Sequence, residues 1–158
     1  MRIASFNMLH GRAPAHDAVD LDRLVTACVS LDADVLALQE VDRAQARSGG
    51  FDLTKSIAEA MGSTHWRFAP ALIGTPGESW RAAHDDDDPA STEPAYGIAL
   101  VSRLPVRAWQ VVRLPAIRDR APRVAAGLRT VTRVDDEPRV GLAAELDAPV
   151  GRMTIATA

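Results

Sequence analysis

Asn7 and Glu40 are the residues of this sequence best placed to do chemistry together. Asn7 lies near the C-terminal end of a strand-like segment at residues 2–8, and Glu40 lies just past a second one at 35–38. An amide oxygen and a carboxylate side by side form a hard-oxygen site suited to Mg²⁺ or Mn²⁺. Spacing alone leaves a plainer reading open, in which Asn7 ends a strand and Glu40 opens a solvated loop. Of the four histidines, His10 lies near the same edge and could touch a substrate, but otherwise reads as a solvated loop residue. His65 reads as the start of a strand; His16 and His84 fall in polar stretches. No glycine-flanked serine elbow is present, so no Ser/His/Asp nucleophile can be argued. The run Asp85–Asp88 lacks the spaced ligands and turn glycine of an EF-hand and reads as a solvated acidic loop.

The elements that must position Asn7 and Glu40 follow from periodicity. Leu21, Leu24, Val25, Cys28 and Val29 recur on one helical face, with Asp17 or Asp20 as the N-cap. Val35-Leu36-Ala37-Leu38 is an unbroken apolar run, as expected for a strand covered on both faces. Strand, helix, strand at this spacing is a βαβ unit with a right-handed crossover. Its parallel strands present their C-terminal ends on one edge, where ligands of open α/β sheets gather. The pattern predicts a second helix at about 52–61, a strand at 65–73 and a polar loop at about 74–95. Further strands are predicted at about 96–102, 106–113, 123–133, 139–147 and 151–157, forming an antiparallel meander.

Ser5-Phe6-Asn7, Asp34-Val35-Leu36-Ala37-Leu38-Gln39-Glu40-Val41-Asp42 and Tyr96-Gly97-Ile98-Ala99-Leu100-Val101-Ser102-Arg103-Leu104-Pro105 stand in that order along the chain. They resemble three successive blocks of the endonuclease/exonuclease/phosphatase family, the group with the deoxyribonuclease-I-like fold. Pro138 to Asp147 resembles a fourth block, which leads toward the family's Thr-His-Leu segment. The resemblance implies an α/β fold with a mixed sheet, half of a four-layer α-β-β-α sandwich. It implies a divalent-metal-dependent phosphoesterase, with Mg²⁺ or Mn²⁺ as cofactor and a phosphate ester as substrate. By match to the family's motifs, Glu40 is a metal ligand, Asn7 helps to hold the metal site, and Gln39 orders Glu40. Arg139 matches a catalytic arginine that contacts the scissile phosphate. Arg43 could also reach that phosphate, or else pairs with Asp42 or another acid. Ser102 and Arg103 stabilise a strand end and its loop. Asn7 and Glu40 should then face one cleft within roughly 4–7 Å, the span of a shared, partly hydrated cation.

Nothing in the sequence matches the family's Gly-Asp-Phe-Asn or Ser-Asp-His blocks, and none of the histidines takes the place of the family's own. Residues 1–158 therefore read as the N-terminal half of such a domain, inactive by itself. On that reading the inner face of its sheet would be left bare for a C-terminal half or a second copy. The alternative is a non-catalytic half-domain that binds a partner or completes a homodimer.

Composition narrows the classes further. A net charge of −3 and 4% aromatic residues argue against a nucleic-acid binder without chemistry. All but one of the 18 basic residues are arginine, a bias that genomic base composition explains and that also suits phosphate recognition. With 47% hydrophobic residues the chain can bury one sizeable core, so a single domain is expected. The lone Cys28 excludes an intrachain disulfide framework and, from its place on the apolar helical face, should be a buried thiol. No run reaches the ~18 apolar residues of a membrane helix, and the start does not read as a signal peptide, so the chain reads as cytoplasmic.

Overall fold

The structure, a computed structural model, describes residues 1–12, 19–114 and 137–158, and the backbone of residues 123–124 and 131–132. Strand β1 (Ile3–Asn7), helix α1 (Leu21–Ser30) and strand β2 (Val35–Arg43) form the expected βαβ unit, β1 and β2 pairing in parallel from Ile3↔Val35 to Asn7↔Gln39. Asp20 caps α1, its carboxylate accepting from the Arg23 amide; Asp17 and His16 lie outside the described residues. Helix α2 (Leu53–Ala60) is capped in the same way by Asp52, which accepts from the Lys55 amide. Strands β3 (His65–Gly74), β4 (Trp80–Ala82) and β5 (Ala95–Ser102) complete a five-stranded sheet of order β1-β2-β5-β3-β4, in which β5 runs antiparallel to both neighbours. Strands β6 (Val106–Leu114), β9 (Arg139–Ala148) and β10 (Gly151–Thr157) form a second, antiparallel sheet of order β10-β9-β6. The single strand expected at 123–133 is instead two short ones, β7 (Arg123–Val124) and β8 (Val131–Thr132), paired with each other.

The alternation of side chains along β2 divides the interior in two. Leu36, Leu38 and Val41 face the helices, where they pack with Leu24, Cys28, Leu53 and Ile57. Val35 and Ala37 face the second sheet, joining Ala69, Ile98 and Leu100 against Val140, Leu142, Ala144 and Leu146. Both faces of β2 are thus dry, which is why its apolar run does not alternate with polar residues. Burial holds the Cys28 thiol in the helix layer up at about 11.

The mixed α/β sandwich is as expected, but the bare inner face is not. The second sheet, made by residues of this same chain, covers the inner face of the first. Strands of the predicted antiparallel meander supply it: the apolar alternation of β9, buried at Val140, Leu142, Ala144 and Leu146, packs it over the first sheet. The polar stretch at 74–95 is also more ordered than a plain loop. Its β4 pairs with β3, and Asp87 and Asp85 of the acidic run bind Arg81 and Arg113. Among the described residues no helix is long and apolar enough to cross a membrane.

Candidate active site

Glu40 lies within β2, not beyond it, and the backbone there is irregular. The pairing of β2 with β5 shifts register between Leu38 and Val41, and Glu40 adopts φ 54°. A bulge of this kind re-aims a side chain that a regular strand would send elsewhere. The left-handed backbone costs about 1–3 kcal/mol for a non-glycine residue, a strain that clusters at functional sites. Asn7, at the end of the neighbouring β1, donates from Nδ2 to Glu40 Oε1 at 2.9 Å. Its Oδ1 accepts the Leu9 amide at 3.0 Å. The two side chains meet directly, closer than a water-bridged arrangement would bring them.

A second group of residues closes around the other Glu40 oxygen. His10, in a short 3-10 turn at Leu9–Gly11, places Nε2 at 3.6 Å from Glu40 Oε2. Its Nδ1 is 3.2 Å from Arg47 Nη2. Arg47 in turn forks onto the fully buried Asp42, with Nε to Oδ2 at 2.8 Å and Nη2 to Oδ1 at 2.7 Å. Tyr96 lies beside both, its ring 5.3 Å from that of His10 and 5.5 Å from the Arg47 guanidinium. Burial holds the His10 imidazole below its usual value, with the Arg47 charge adding to the shift and Asp42 and Glu40 opposing it. Burial, reinforced by Glu40, pushes the Tyr96 hydroxyl up to about 12, so it stays protonated. His10 is therefore part of the site rather than a solvated loop residue.

Asn7, Glu40 and Arg139 line one open cavity of about 620 Å³, together with Gln39, Tyr96 and Glu137. Arg139 starts β9 in the second sheet, so the cavity lies where the ends of the two sheets meet. Two other expectations fail. Gln39 does not order Glu40: its amide nitrogen bonds Ser5 Oγ at 3.1 Å and Thr157 Oγ1 at 2.8 Å, tying the sheets together. Its own side chain belongs to the inter-sheet face, and the bulge turns the next residue away from it. Arg43 reaches neither the cavity nor Asp42; of the acids it could have met, those whose charges act on it are Asp52, Asp88 and Glu93. It is 7% exposed, sits over the Phe68 ring at 5.0 Å and donates to the Pro89 carbonyl. Ser102 and Arg103 do hold a strand end, at the opposite pole, through Leu104, Met61 and Asp32. Among the described residues no three His, Cys, Asp or Glu side chains gather closely enough to cage an ion.

The sequence model of the Endonuclease/Exonuclease/phosphatase family matches residues 4–149. The chain belongs to the endonuclease/exonuclease/phosphatase family. Among solved structures, an endonuclease/exonuclease/phosphatase from Beutenbergia cavernae superposes with a TM-score of 0.67 at 20% identity, covering 99% of this chain and 37% of that one. An endonuclease/exonuclease/phosphatase family protein from Leptotrichia buccalis superposes with a TM-score of 0.55 at 12% identity, covering 100% of this chain and 54% of that one. The chain thus spans about a third to a half of the length of these structures. No curated protein matches it.

Within this endonuclease/exonuclease/phosphatase chain, the residues that sequence reasoning missed are Asp42, Arg47, Tyr96 and Glu137. Asp42 carried a signal, since it stands two residues after Glu40 and would share its face in a regular strand. Arg47 carried none, because its approach to His10 depends on the turn at Ala46–Ser48.

Proposed function

We propose that this chain supplies one side of a metal-dependent phosphoester-hydrolysing site. Glu40 would hold Mg²⁺ or Mn²⁺, Asn7 would hold Glu40, and Arg139 would face the substrate phosphate. The observation that carries this reading is the Asn7–Glu40 hydrogen bond opening into a cavity that Arg139 also lines. The donor that fits a hard cation is the Glu40 carboxylate, in a cavity roomy enough for water to complete the shell. The Asn7 amide oxygen, expected as a second donor, is instead taken by the Leu9 amide, and its nitrogen faces Glu40. Bound there, the ion would polarise the phosphoryl oxygens and neutralise charge that develops on them. The chain's own part is electrostatic and positional. Arg139 presents a planar cation matched to phosphate oxygens, and the strained Glu40 backbone fixes the carboxylate before substrate arrives.

The sequence holds no counterpart of the Gly-Asp-Phe-Asn and Ser-Asp-His blocks on the water-activating side. Groups that act as a unit in catalysis are lost non-additively. The expected result is no turnover of bis-p-nitrophenyl phosphate by the 158-residue chain with Mg²⁺ or Mn²⁺. Turnover should appear when a family C-terminal half is supplied, and Glu40→Ala should abolish it. Ion binding by the chain alone should be no tighter than about millimolar, the weak end for sites with few charged ligands. Glu40-dependent turnover by the chain alone would overturn the half-site reading, and turnover indifferent to Glu40→Ala would overturn the site.

One observation favours a second reading, a half-domain that docks a partner. Among the described residues strands β1 and β10 end their sheets, and β10 packs over β2, so there both sheets present an unpaired edge on the same flank. Free edges are templates for further strands, from a C-terminal half or a second copy. Sedimentation of the chain alone separates a self-paired dimer from a monomer awaiting another partner.

A further inference from the structure

We infer that His10 is a positioning residue for Glu40, locked in one tautomer by Arg47; its use for a metal rests on the site proposed above. A guanidinium has five N–H donors and no acceptor, so the 3.2 Å contact from Arg47 Nη2 can only be made to a lone pair on His10 Nδ1. That places the ring proton on Nε2, the nitrogen that lies 3.6 Å from Glu40 Oε2. The N–H dipole therefore presents its positive end to the carboxylate oxygen that Asn7 leaves free. Glu40 is faced by two N–H groups, Oε1 accepting a hydrogen bond from the Asn7 amide and Oε2 lying 3.6 Å from His10 Nε2 in an electrostatic contact longer than a hydrogen bond.

The anchor of this arrangement is a buried charge. Asp42 is 0% exposed, and both its oxygens are taken by the Arg47 fork. A bidentate pair fixes the guanidinium plane as well as its place, so the third contact of Arg47, to His10, inherits a fixed direction. Tyr96 packs against the His10 and Arg47 groups. Asp42 and Glu40 are two residues apart on the same strand, so the network begins and ends on β2 and crosses two turns between. Such a closed loop of contacts holds the Glu40 rotamer against the pull of solvent, which one contact from Asn7 would not do alone. His10 itself has φ 58°, and Leu9 before it φ 46°, so the turn is bent to deliver the ring.

The test reads position before it reads metal. With the full chain labelled for NMR, the His10 ring nitrogens report the tautomer, and the Asn7 side-chain amide reports its bond to Glu40 without any ion. The wild type should show a proton on Nε2 alone and a distinctly shifted Asn7 amide proton. His10→Ala should collapse that Asn7 shift, and His10→Gln, which restores an N–H donor, should recover it. Because alanine at φ 58° carries backbone strain of its own, Arg47→Lys is the second variant. It keeps a cation on Asp42, leaves position 10 untouched, and should convert His10 to a tautomer mixture. Addition of Mn²⁺ then reads the purpose. The concentration that half-broadens the Asn7 amide should rise about tenfold in His10→Ala and Arg47→Lys, the usual scale for groups that orient a ligand, and return to near wild type in His10→Gln.

A wild-type proton on Nδ1, or an Asn7 amide indifferent to both His10→Ala and Arg47→Lys, overturns the positioning role. Failure of the metal reading looks different: Glu40→Ala would leave the Mn²⁺ response unchanged, while the metal-free Asn7 signal still decides for or against His10.

Discussion

The edge that carries Glu40 and the interior between the two sheets are built by opposite rules. Among the described residues five non-glycines have positive φ. Leu9, His10 and Glu40 belong to the cluster around the Glu40 carboxylate, and Ala44 follows at the end of β2, while Asp32 alone lies at the opposite pole. The register of β2 on β5 and that of β3 on β5 both break at this level, between Leu38 and Val41 and between Pro70 and Leu72. Below it the same strands run unbroken, Val35↔Ser102 to Leu38↔Ala99 and His65↔Ser102 to Pro70↔Gly97. The regular part buries Leu100, Leu142 and Leu146 almost completely and hydrogen-bonds by ladder. The irregular part bonds side chain to side chain. Folding free energy comes from the first, and the second costs some of it to hold polar groups where a regular sheet would not place them.

The largest effect expected from this contrast is in the interior. Leu100 is 0% exposed, paired with Ala37 on its own sheet and clustered with Leu142 and Leu146 of the other. Leu100→Ala should cost about 2–5 kcal/mol, the range for truncating a buried leucine. Urea unfolding measures it, and a loss below about 1 kcal/mol would show that the two sheets pack loosely. At the edge the sign should reverse. Glu40→Gly removes the side chain from a φ of 54° that glycine adopts freely. It should leave the fold unchanged or more stable by up to about 1 kcal/mol, while any Glu40-dependent ion binding disappears. A destabilised Glu40→Gly protein would mean that the Asn7 and His10 contacts outweigh the strain.

These same rules explain what could be read in the sequence. The interior was legible because burial writes itself as periodicity: Leu21 to Val29 gave α1, and Val35 to Leu38 gave a strand dry on both faces. Asn7, Glu40 and Arg139 were found from motif resemblance, and the structure brings all three to one cavity. The network around them was not legible, since a bulge turns Glu40 away from Gln39 and sends Gln39 to Thr157. No propensity encodes a one-residue shift that depends on pairing with a strand some sixty residues later. Arg43 illustrates the other failure. Its charge and nearness to Glu40 suggested phosphate, yet its stem and guanidinium are spent on Phe68 and the Pro89 carbonyl.

The smallest effect belongs to the acidic run, which is solvent-exposed as expected at Asp85, Asp86 and Asp88 but has Asp87 tied into the turn. Asp87 accepts from Arg81 at 3.0 and 2.6 Å and from the His84 amide at 2.7 Å. The Arg81 hydrogen bonds first, then the His84 amide, lower its carboxyl from 3.8 to about 2. A depressed acid stabilises the folded state above its unfolded value, and that contribution fades as pH falls from about 4 toward about 2. The pair lies at the surface, where solvent and salt screen it, so its effect on global stability should be slight. Its local effect should be readable. The Asp87 carboxyl carbon should stay flat in an NMR titration down to pH 3 in the wild type, and should titrate near the ordinary aspartate range in Arg81→Ala. If Asp87 already titrates in the ordinary aspartate range in the wild type, the Arg81 fork does not persist in solution.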